Sequence, residues 1–230
     1  MNIVMAAYGL DYSAIQNFMD WNREVFEKNH VTVWVGYHEK VETQDPMLNI
    51  IHYPFQEEVF SIGRTVNYVI RRVRGCPEAG RIIKTDPDIM FSDEVLKHVS
   101  RNVKIGHGMI CICSNVANVE LVKNTRWKAA VKRKGGKGAC FAMTKRDWAD
   151  LNGYDERIEG WGGDDEEMHR RAIRKVKINL NWLHPLYHIN HPQRKNSGNF
   201  PVRSVENSGH MIKNDWSSDN WGKPNYSDIV

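Results

Sequence analysis

Two aspartates, Asp86 and Asp88, stand one residue apart after an apolar, β-branched run at residues 81–85. Open α/β sheets bind ligands outside the carboxyl ends of their strands, and Pro87 favours an extended turn between the two aspartates. In such a turn both carboxylates can reach one divalent cation, because hard cations prefer oxygen ligands. The same residues could also simply end the strand, since Asp-x-Asp patterns are common by chance. A metal site is therefore one of two interpretations of this pattern.

A second acidic cluster follows a glycine-rich corner at residues 160–163 and opens a predicted helix. Asp164 is the natural N-cap there, and Glu167 completes a capping box. Glu166 and Glu167 each precede an arginine by four residues, so both can form pairs on the helix surface. Asp165 has neither a capping role nor an evident partner, which makes it a candidate general base beside a corner that permits close approach. The alternative is an acidic helix start with one surplus carboxylate.

The elements that must position these carboxylates alternate between strand and helix patterns. Helical periodicity or capping predicts helices over residues 12–29, 57–75 and 164–176, and one starting after Ser92. Apolar runs predict strands near residues 2–7, 31–37, 48–53, 80–86, 108–114, 137–144, 177–182 and 185–190. This alternation favours an α/β fold with a mixed, mainly parallel sheet flanked by helices.

Length and composition fit one soluble domain. The chain has 230 residues, of which 41% are hydrophobic and 26% charged. Its apolar runs are too short for a membrane helix, and its first residues lack a secretory signal, so we expect a cytoplasmic protein. The four cysteines lack zinc-type spacing and are interpreted as reduced, buried or half-buried small side chains. A net charge of +4 permits an anionic substrate but does not by itself indicate nucleic acid.

Four segments, in chain order, resemble the nucleotide-sugar glycosyltransferases of the GT-A fold, the large family-2-like group. "GRTVNYVI" resembles that family's Arg-x-x-Asn-x-x-Ile helix near the donor diphosphate, and "IIKTDPDIMF" its metal-binding Asp-x-Asp strand end. "GWGGDDEEMHRR" is similar to the Gly-Trp-Gly-x-Glu-Asp-x-Glu segment of inverting members, which include the β-1,4-galactosyltransferases, and "LYHINHP" resembles the C-terminal histidine segment. The resemblance implies a Rossmann-like GT-A domain over residues 1–230. Within it we expect a nucleotide-sugar-binding half at 1–100, an acceptor and catalytic half at 101–192, and an irregular tail at 193–230.

The resemblance also implies roles for individual residues. Asp165 matches the catalytic base, and the acceptor-binding positions are Asp164, Trp161 and Gly162. The residues expected around the nucleotide sugar are Ala7, Tyr8, Arg64, Asn67 and Asp86. The expected ligands of the cation, Mn²⁺ or Mg²⁺, are Asp86, Asp88 and His188, with His191 as the second choice of histidine. For Arg64 and Asn67 a solvated helix face is the alternative interpretation.

The function implied is that of an inverting, divalent-metal-dependent glycosyltransferase. It would move a sugar from a nucleotide diphosphate sugar, preferably a UDP-sugar, to an acceptor hydroxyl from which Asp165 removes the proton. The chain departs from many relatives at residues 6–11 and 35–40, where segments that hold the base and ribose are expected. The nucleobase pocket therefore rests on no motif, and Tyr8 or Asp11 could serve there.

The acceptor stays open at this point. A saccharide or glycoconjugate is one class; a hydroxymethylated base of DNA is another, because Lys and Arg cluster at residues 128–137 and at Lys145 and Arg146. A DNA substrate requires base flipping and binding that weakens steeply with salt. A catalytically inactive sugar-nucleotide-binding module is disfavoured because the acidic residues are all present. A nucleotidyltransferase would need a glycine-rich phosphate loop, yet residues 6–14 hold a single glycine.

Overall fold

The computed structural model describes residues 1–7, 9–53, 60–116, 140–160, 162–181, 184, 186–189, 207, 209, 215–218 and 221–222. Within these residues the strands are β1 Asn2–Ala6, β2 Thr32–Tyr37, β3 Leu48–His52, β4 Arg81–Thr85, β5 Ile89–Phe91, β6 His107–Cys111, β7 Ser114–Val116, β8 Cys140–Thr144, β9 Lys177–Asn181 and β10 Leu186–Ile189. The helices are α1 Tyr12–Lys28, α2 Ile62–Ile70, α3 Asp93–Asn102, α4 Lys145–Asp150 and α5 Asp164–Lys175.

Seven strands form the central sheet, in the order β3-β2-β1-β4-β8-β6-β9. Strand β8 runs antiparallel to both of its neighbours, β4 and β6, and the other pairs are parallel. The mixed, mainly parallel sheet expected from the sequence is thus confirmed. Because β1, β4 and β6 run in the same direction, their carboxyl ends share one edge. The antiparallel β8 begins at that edge, where Cys140 is paired with Thr85.

Helices cover both faces of this sheet, because the buried strands carry apolar side chains on alternate faces. On one face α1 and α3 pack in a cluster that includes Ile83 of β4. On the other face α2, α4 and α5 pack in a second cluster that includes Ile82. Lys84 follows Ile82 at the strand period of two and therefore points to the face that α5 covers.

A second sheet of three strands, β5-β10-β7, lies after the Asp-x-Asp turn. Strand β10 pairs antiparallel with β5, so that His188 lies opposite Ile89, and the Ile189 N–H donates to the carbonyl of Asp88 at 2.9 Å. Asn22 of α1 anchors β5, since its amide donates to the Ile89 carbonyl at 2.9 Å and accepts from the Phe91 N–H at 2.7 Å. This sheet brings the C-terminal histidine segment to the metal-type turn.

Several local expectations are corrected by the structure. The predicted helix over residues 57–75 is helical over Ile62–Ile70, with Ser61 as its N-cap; residues 57–59 lie outside the described part. Helix α4 and strands β5 and β7 were not predicted.

Cys111, Cys113 and Cys140 are buried and Cys76 is half-buried, which confirms their interpretation as free thiols. In the part of the chain that the structure describes, no helix has the length and apolarity to cross a bilayer.

Candidate functional site

A buried lysine joins the two acidic segments at the carboxyl edge of the sheet. The Lys84 side chain is 2% exposed, and its Nζ lies 3.0 Å from Oδ1 of Asp86. The same Nζ donates to Oδ1 and Oδ2 of Asp165, in the first turn of α5, at 3.2 and 3.4 Å. Two carboxylates from segments about eighty positions apart therefore share the ammonium group of Lys84.

Asp165 has a second partner. The hydroxyl of Tyr154, a fully buried residue, donates to Asp165 Oδ1 at 2.9 Å. The expectation that Asp165 lacks a partner is thus wrong, because its partners lie on β4 and on the segment before α5 rather than one helical turn away. The Asp165 side chain is 25% exposed at the sheet edge. In spite of its two partners, it can therefore still receive a proton from a bound substrate.

The electrostatics of this cluster follow from burial and from the ratio of acids to bases. Burial acts to lower the pKa of Lys84, but attraction by Asp165 and Asp86 outweighs it and raises that pKa well above its usual range. Burial raises the pKa of Asp164 to about 7, with Asp165 adding repulsion and Lys84 opposing it. Desolvation and repulsion by Asp165 and Asp88 also raise the pKa of Asp86, although its side chain is 38% exposed and Lys84 acts in the opposite direction. In the described part of this cluster, three carboxylates thus accompany one buried ammonium, that of Lys84.

Asp88 and His188 form a neighbouring pair, with Nε2 of His188 3.4 Å from Oδ2 of Asp88. The hydrogen bond to Asp88 raises the pKa of His188 although burial opposes it. A carboxylate oxygen and an imidazole nitrogen are donor types that suit Mn²⁺, so this pair fits the expected cation. Asp86, by contrast, pairs with Lys84, and the described residues contain no group of three or more His, Cys, Asp or Glu side chains that forms a metal site. The set of Asp86, Asp88 and His188 stays a prediction.

The glycine corner before α5 has backbone conformations that residues with a side chain adopt only under strain. Gly160, Gly162 and Gly163 have φ values of 69°, 107° and 101°, in the left-handed region. Gly163, not Asp164, is the N-cap of α5, and it provides no side-chain cap, so the predicted capping box is wrong. Asp164 instead lies inside the first turn and is 9% exposed. The corner is held from outside by Asn207, whose amide donates to the carbonyls of Glu159 at 2.9 Å and Gly162 at 2.8 Å.

The predicted pairs along α5 both form. Glu166 contacts Arg170 and Glu167 contacts Arg171, each at 2.6 Å. Only the first pair lies on the surface as expected; the second is buried, with side chains 0% and 6% exposed. Arg171 also donates to the carbonyls of Leu151 and Gly153. This buried pair therefore ties α5 to the segment that supplies Tyr154.

Asn67 and Arg64 of α2 contact the segment before α5 rather than an open surface. Asn67 is fully buried, and its Nδ2 donates to the Tyr154 carbonyl at 2.9 Å and to Glu156 Oε1 at 2.8 Å, while its Oδ1 accepts from the Tyr154 N–H at 2.7 Å. Arg64 donates to the Glu156 carbonyl at 3.1 Å. A solvated helix face is excluded for Asn67. Contact of either residue with a nucleotide stays a prediction, and these bonds favour a structural role.

The remaining predicted positions fall in two groups. Ala7 is buried at the end of β1, where its N–H donates to the Gly36 carbonyl at 2.9 Å. Gly162 lies in the corner described above. Tyr8, Trp161, His191 and the basic segment at residues 128–137 lie outside the described residues.

Sequence reasoning missed Lys84 and Tyr154. A signal for Lys84 was present, because a lysine within the apolar run at residues 81–85 is costly to bury unless it is paired. Nothing local identified its partners. Tyr154 carried no such signal, since buried tyrosines are ordinary core residues.

The fold is that of the GT-A glycosyltransferases, and the resemblance expected from the sequence is confirmed. Residues 121–193 match the family described as the N-terminal domain of galactosyltransferase. The catalytic domain of Drosophila β1,4-galactosyltransferase 7, in complex with xylobiose, is 11% identical, with a TM-score of 0.60 over 94% of this chain and 82% of that one.

Two further solved structures share the fold. GalNAc-T7 with UDP, GalNAc and Mn²⁺ is 8% identical, with a TM-score of 0.63 over 92% of this chain and 47% of that one. Residues 1–349 of S. aureus TarS are 12% identical, with a TM-score of 0.55 over 82% of this chain and 60% of that one. No curated protein matches the chain. At these identities the likeness establishes the fold and not the reaction.

Proposed function

We propose that this protein is an inverting, divalent-metal-dependent glycosyltransferase that moves a sugar from a UDP-sugar to an acceptor hydroxyl. The observation that carries the proposal is the meeting of the two acidic segments at the carboxyl edge of the sheet. Lys84 bridges Asp86 of the Asp-x-Asp turn and Asp165 of α5, at 3.0 and 3.2 Å. Asp86, proposed to bind the sugar donor, and Asp165, proposed to accept the proton, are thus adjacent. A transfer between two bound substrates requires this proximity.

The residues divide the work as follows. Asp165 is the general base that takes the proton of the acceptor hydroxyl as the new bond forms, and Asp164 binds the acceptor. Asp88 and His188, whose donor atoms are 3.4 Å apart, hold the cation. When bound, this cation neutralises the negative charge that develops on the departing diphosphate. One base acting on one hydroxyl suffices for a single displacement, which inverts the anomeric centre.

The donor and cation are proposed with support from relatives of the same fold. GalNAc-T7 was solved with UDP, GalNAc and Mn²⁺. A variant of Drosophila β1,4-galactosyltransferase 7 was solved with manganese, UDP-Gal and xylobiose, and TarS with UDP-GlcNAc. UDP-sugars with Mn²⁺ are therefore the first donors to test, and a saccharide such as xylobiose is the first acceptor.

The test measures UDP release and thermal stability of the purified protein with UDP-Gal, UDP-GalNAc and UDP-GlcNAc, in Mn²⁺ or EDTA, with and without xylobiose. We expect Mn²⁺-dependent stabilisation by UDP that Asp88→Ala abolishes. Asp165→Asn should keep that stabilisation but lose about 10²- to 10⁴-fold in turnover, the range for a general base. Asp150→Ala is the matched control, because this carboxylate is 63% exposed at the end of α4.

Two outcomes would contradict the proposal. If no nucleotide stabilises the protein in either Mn²⁺ or EDTA, the proposed nucleotide-sugar donor is contradicted. If Asp165→Asn keeps full turnover, the assignment of Asp165 as the base is contradicted. Salt dependence then addresses the acceptor, since transfer to a modified DNA base should weaken steeply with salt and transfer to a saccharide should not.

A further inference from the structure

Neighbouring side chains set the orientation of Asp165, whose role as the base rests on the proposed function. Asp165 presents two oxygens in unequal surroundings. Its Oδ1 accepts from the Tyr154 hydroxyl at 2.9 Å and from Lys84 Nζ at 3.2 Å. Its Oδ2 has, among the residues that the structure describes, only the longer Lys84 contact, at 3.4 Å. Two donors therefore fix one oxygen and leave the other the better placed to accept a further proton.

We propose that Lys84 and Tyr154 are positioning residues that hold the Asp165 carboxylate so that Oδ2 receives the proton of the acceptor hydroxyl. Both are more than nine-tenths buried, so their donor atoms have little freedom to move. Tyr154 is further fixed through its backbone by Asn67, and its ring packs against Trp148 at 5.8 Å between centroids. The base thus receives its orientation from β4 and from the segment before α5, and not from its own helix.

Stability alone does not account for a lysine at this position. The neighbouring strand residues Ile82 and Ile83 are fully buried and apolar, and an apolar residue at position 84 would avoid the desolvation of an ammonium. Lys84 instead pairs with two carboxylates, one from each acidic segment. A pairing that stabilises the fold weakly but fixes geometry closely fits a positioning role.

A double-mutant cycle on turnover tests this role. We expect Lys84→Met to lower kcat for UDP release about 100-fold, the cost of a small displacement of a catalytic group, with the donor KM changed much less. Tyr154→Phe, which keeps the ring, should lower kcat roughly fivefold to tenfold, the value of one hydrogen bond. In an Asp165→Asn background neither substitution should lower kcat by more than about twofold, because the base is already absent. Tyr68→Phe is the matched control in a separate ring cluster on α2.

Turnover and urea unfolding together distinguish a failure of the positioning role from a failure of the proposed function. If wild type turns over and the losses multiply in the Asp165→Asn background, the two residues act on something other than Asp165, and the inference fails while the function stands. If wild type shows no turnover with any donor, the function fails, and urea unfolding of wild type, Lys84→Met, Asp165→Asn and the double variant decides the contact between Lys84 and Asp165. If Lys84→Met and Asp165→Asn are coupled by roughly tenfold in the unfolding equilibrium constant, the contact between Lys84 and Asp165 is supported. If their effects on unfolding are additive, the contact is overturned. Should Lys84→Met not fold, Lys84→Arg and Tyr154→Phe carry the same cycle.

Discussion

Asn67→Ala distinguishes a structural role of α2 from a role in binding the donor. The wild-type amide makes three bonds to the segment before α5: to the Tyr154 carbonyl at 2.9 Å, to Glu156 Oε1 at 2.8 Å and from the Tyr154 N–H at 2.7 Å. All three are made by a residue that is 0% exposed. Alanine removes them together and leaves buried backbone groups of Tyr154 without these partners.

The magnitude follows from those three bonds. A buried polar group left without its partner costs about 1–3 kcal/mol, so the substitution should lower the free energy of unfolding by about 3–5 kcal/mol. For a chain of this size each kcal/mol lowers Tm by about 2–4 °C, which gives a fall in Tm of roughly 10 °C. Because Tyr154 contacts the proposed base, turnover should fall as well, whereas the donor KM of the folded fraction should change little.

The assay combines thermal and urea unfolding with UDP-dependent stabilisation and donor KM, all measured well below the transition of the variant. Asn17→Ala on the exposed face of α1 is the matched control, and it should shift stability by no more than about 0.5 kcal/mol. The reasoning is refuted if Asn67→Ala keeps the wild-type Tm while the donor KM rises tenfold or more. That result would place Asn67 on the donor, as the family resemblance implies.

Three further perturbations address α5 and the corner before it. Glu167→Gln breaks a buried pair and should cost about 3–5 kcal/mol in urea unfolding, against about 0.5 kcal/mol for Glu166→Gln in the exposed pair; equal costs would contradict the assigned burial. Because burial raises the pKa of Asp164 from 3.8 to about 7, the folded state binds its proton more tightly, and stability in EDTA should fall from pH 4 to pH 7 by an amount of order 4 kcal/mol. Asp164→Asn should remove that part of the slope, and an unchanged slope would assign it elsewhere. Asn207→Ala releases the Gly162 carbonyl and should raise the acceptor KM more than the donor KM; equal rises in steady-state kinetics would argue against a local effect.

Much of the fold was predictable because it rests on local periodicity. The buried strands β1, β2, β4 and β8 read as short apolar runs, and α1 has a clear helical rhythm over its whole length. Strands β5 and β7 were missed because each is three residues long and is stabilised by pairing with β10, a segment far along the chain. A pattern of that length has no period to detect.

The acidic residues proposed for the site stand out in the sequence, whereas the hydrogen-bond donors that contact them do not. Asp86 and Asp165 stand out by type and spacing, because the chemistry of metal binding and proton transfer needs carboxylates. Lys84 and Tyr154 become partners of Asp165 only when β4 and α5 are brought to the same face of the sheet. The N-cap was wrong for a related reason. Asp164 has the preferred residue type for a cap, but the left-handed backbone of Gly163, with φ of 101°, begins the helix one residue earlier and turns Asp164 into the protein.

The first turn of α5 shows why four consecutive acids need not share one function. The helix dipole favours all four, but their surroundings differ: Asp164 is 9% exposed, and the side chains of Asp165, Glu166 and Glu167 are 25%, 58% and 0% exposed. Glu166 contributes little beyond a surface pair, and Glu167 is neutralised by a buried arginine that anchors the helix. Of the four, Asp164 and Asp165 are the two that interact with Lys84 at the carboxyl edge of the sheet, where burial raises the pKa of Asp164 and Lys84 opposes that rise. Carboxylates that lie at this edge in spite of the cost of burial are the candidates for ligand binding and proton acceptance.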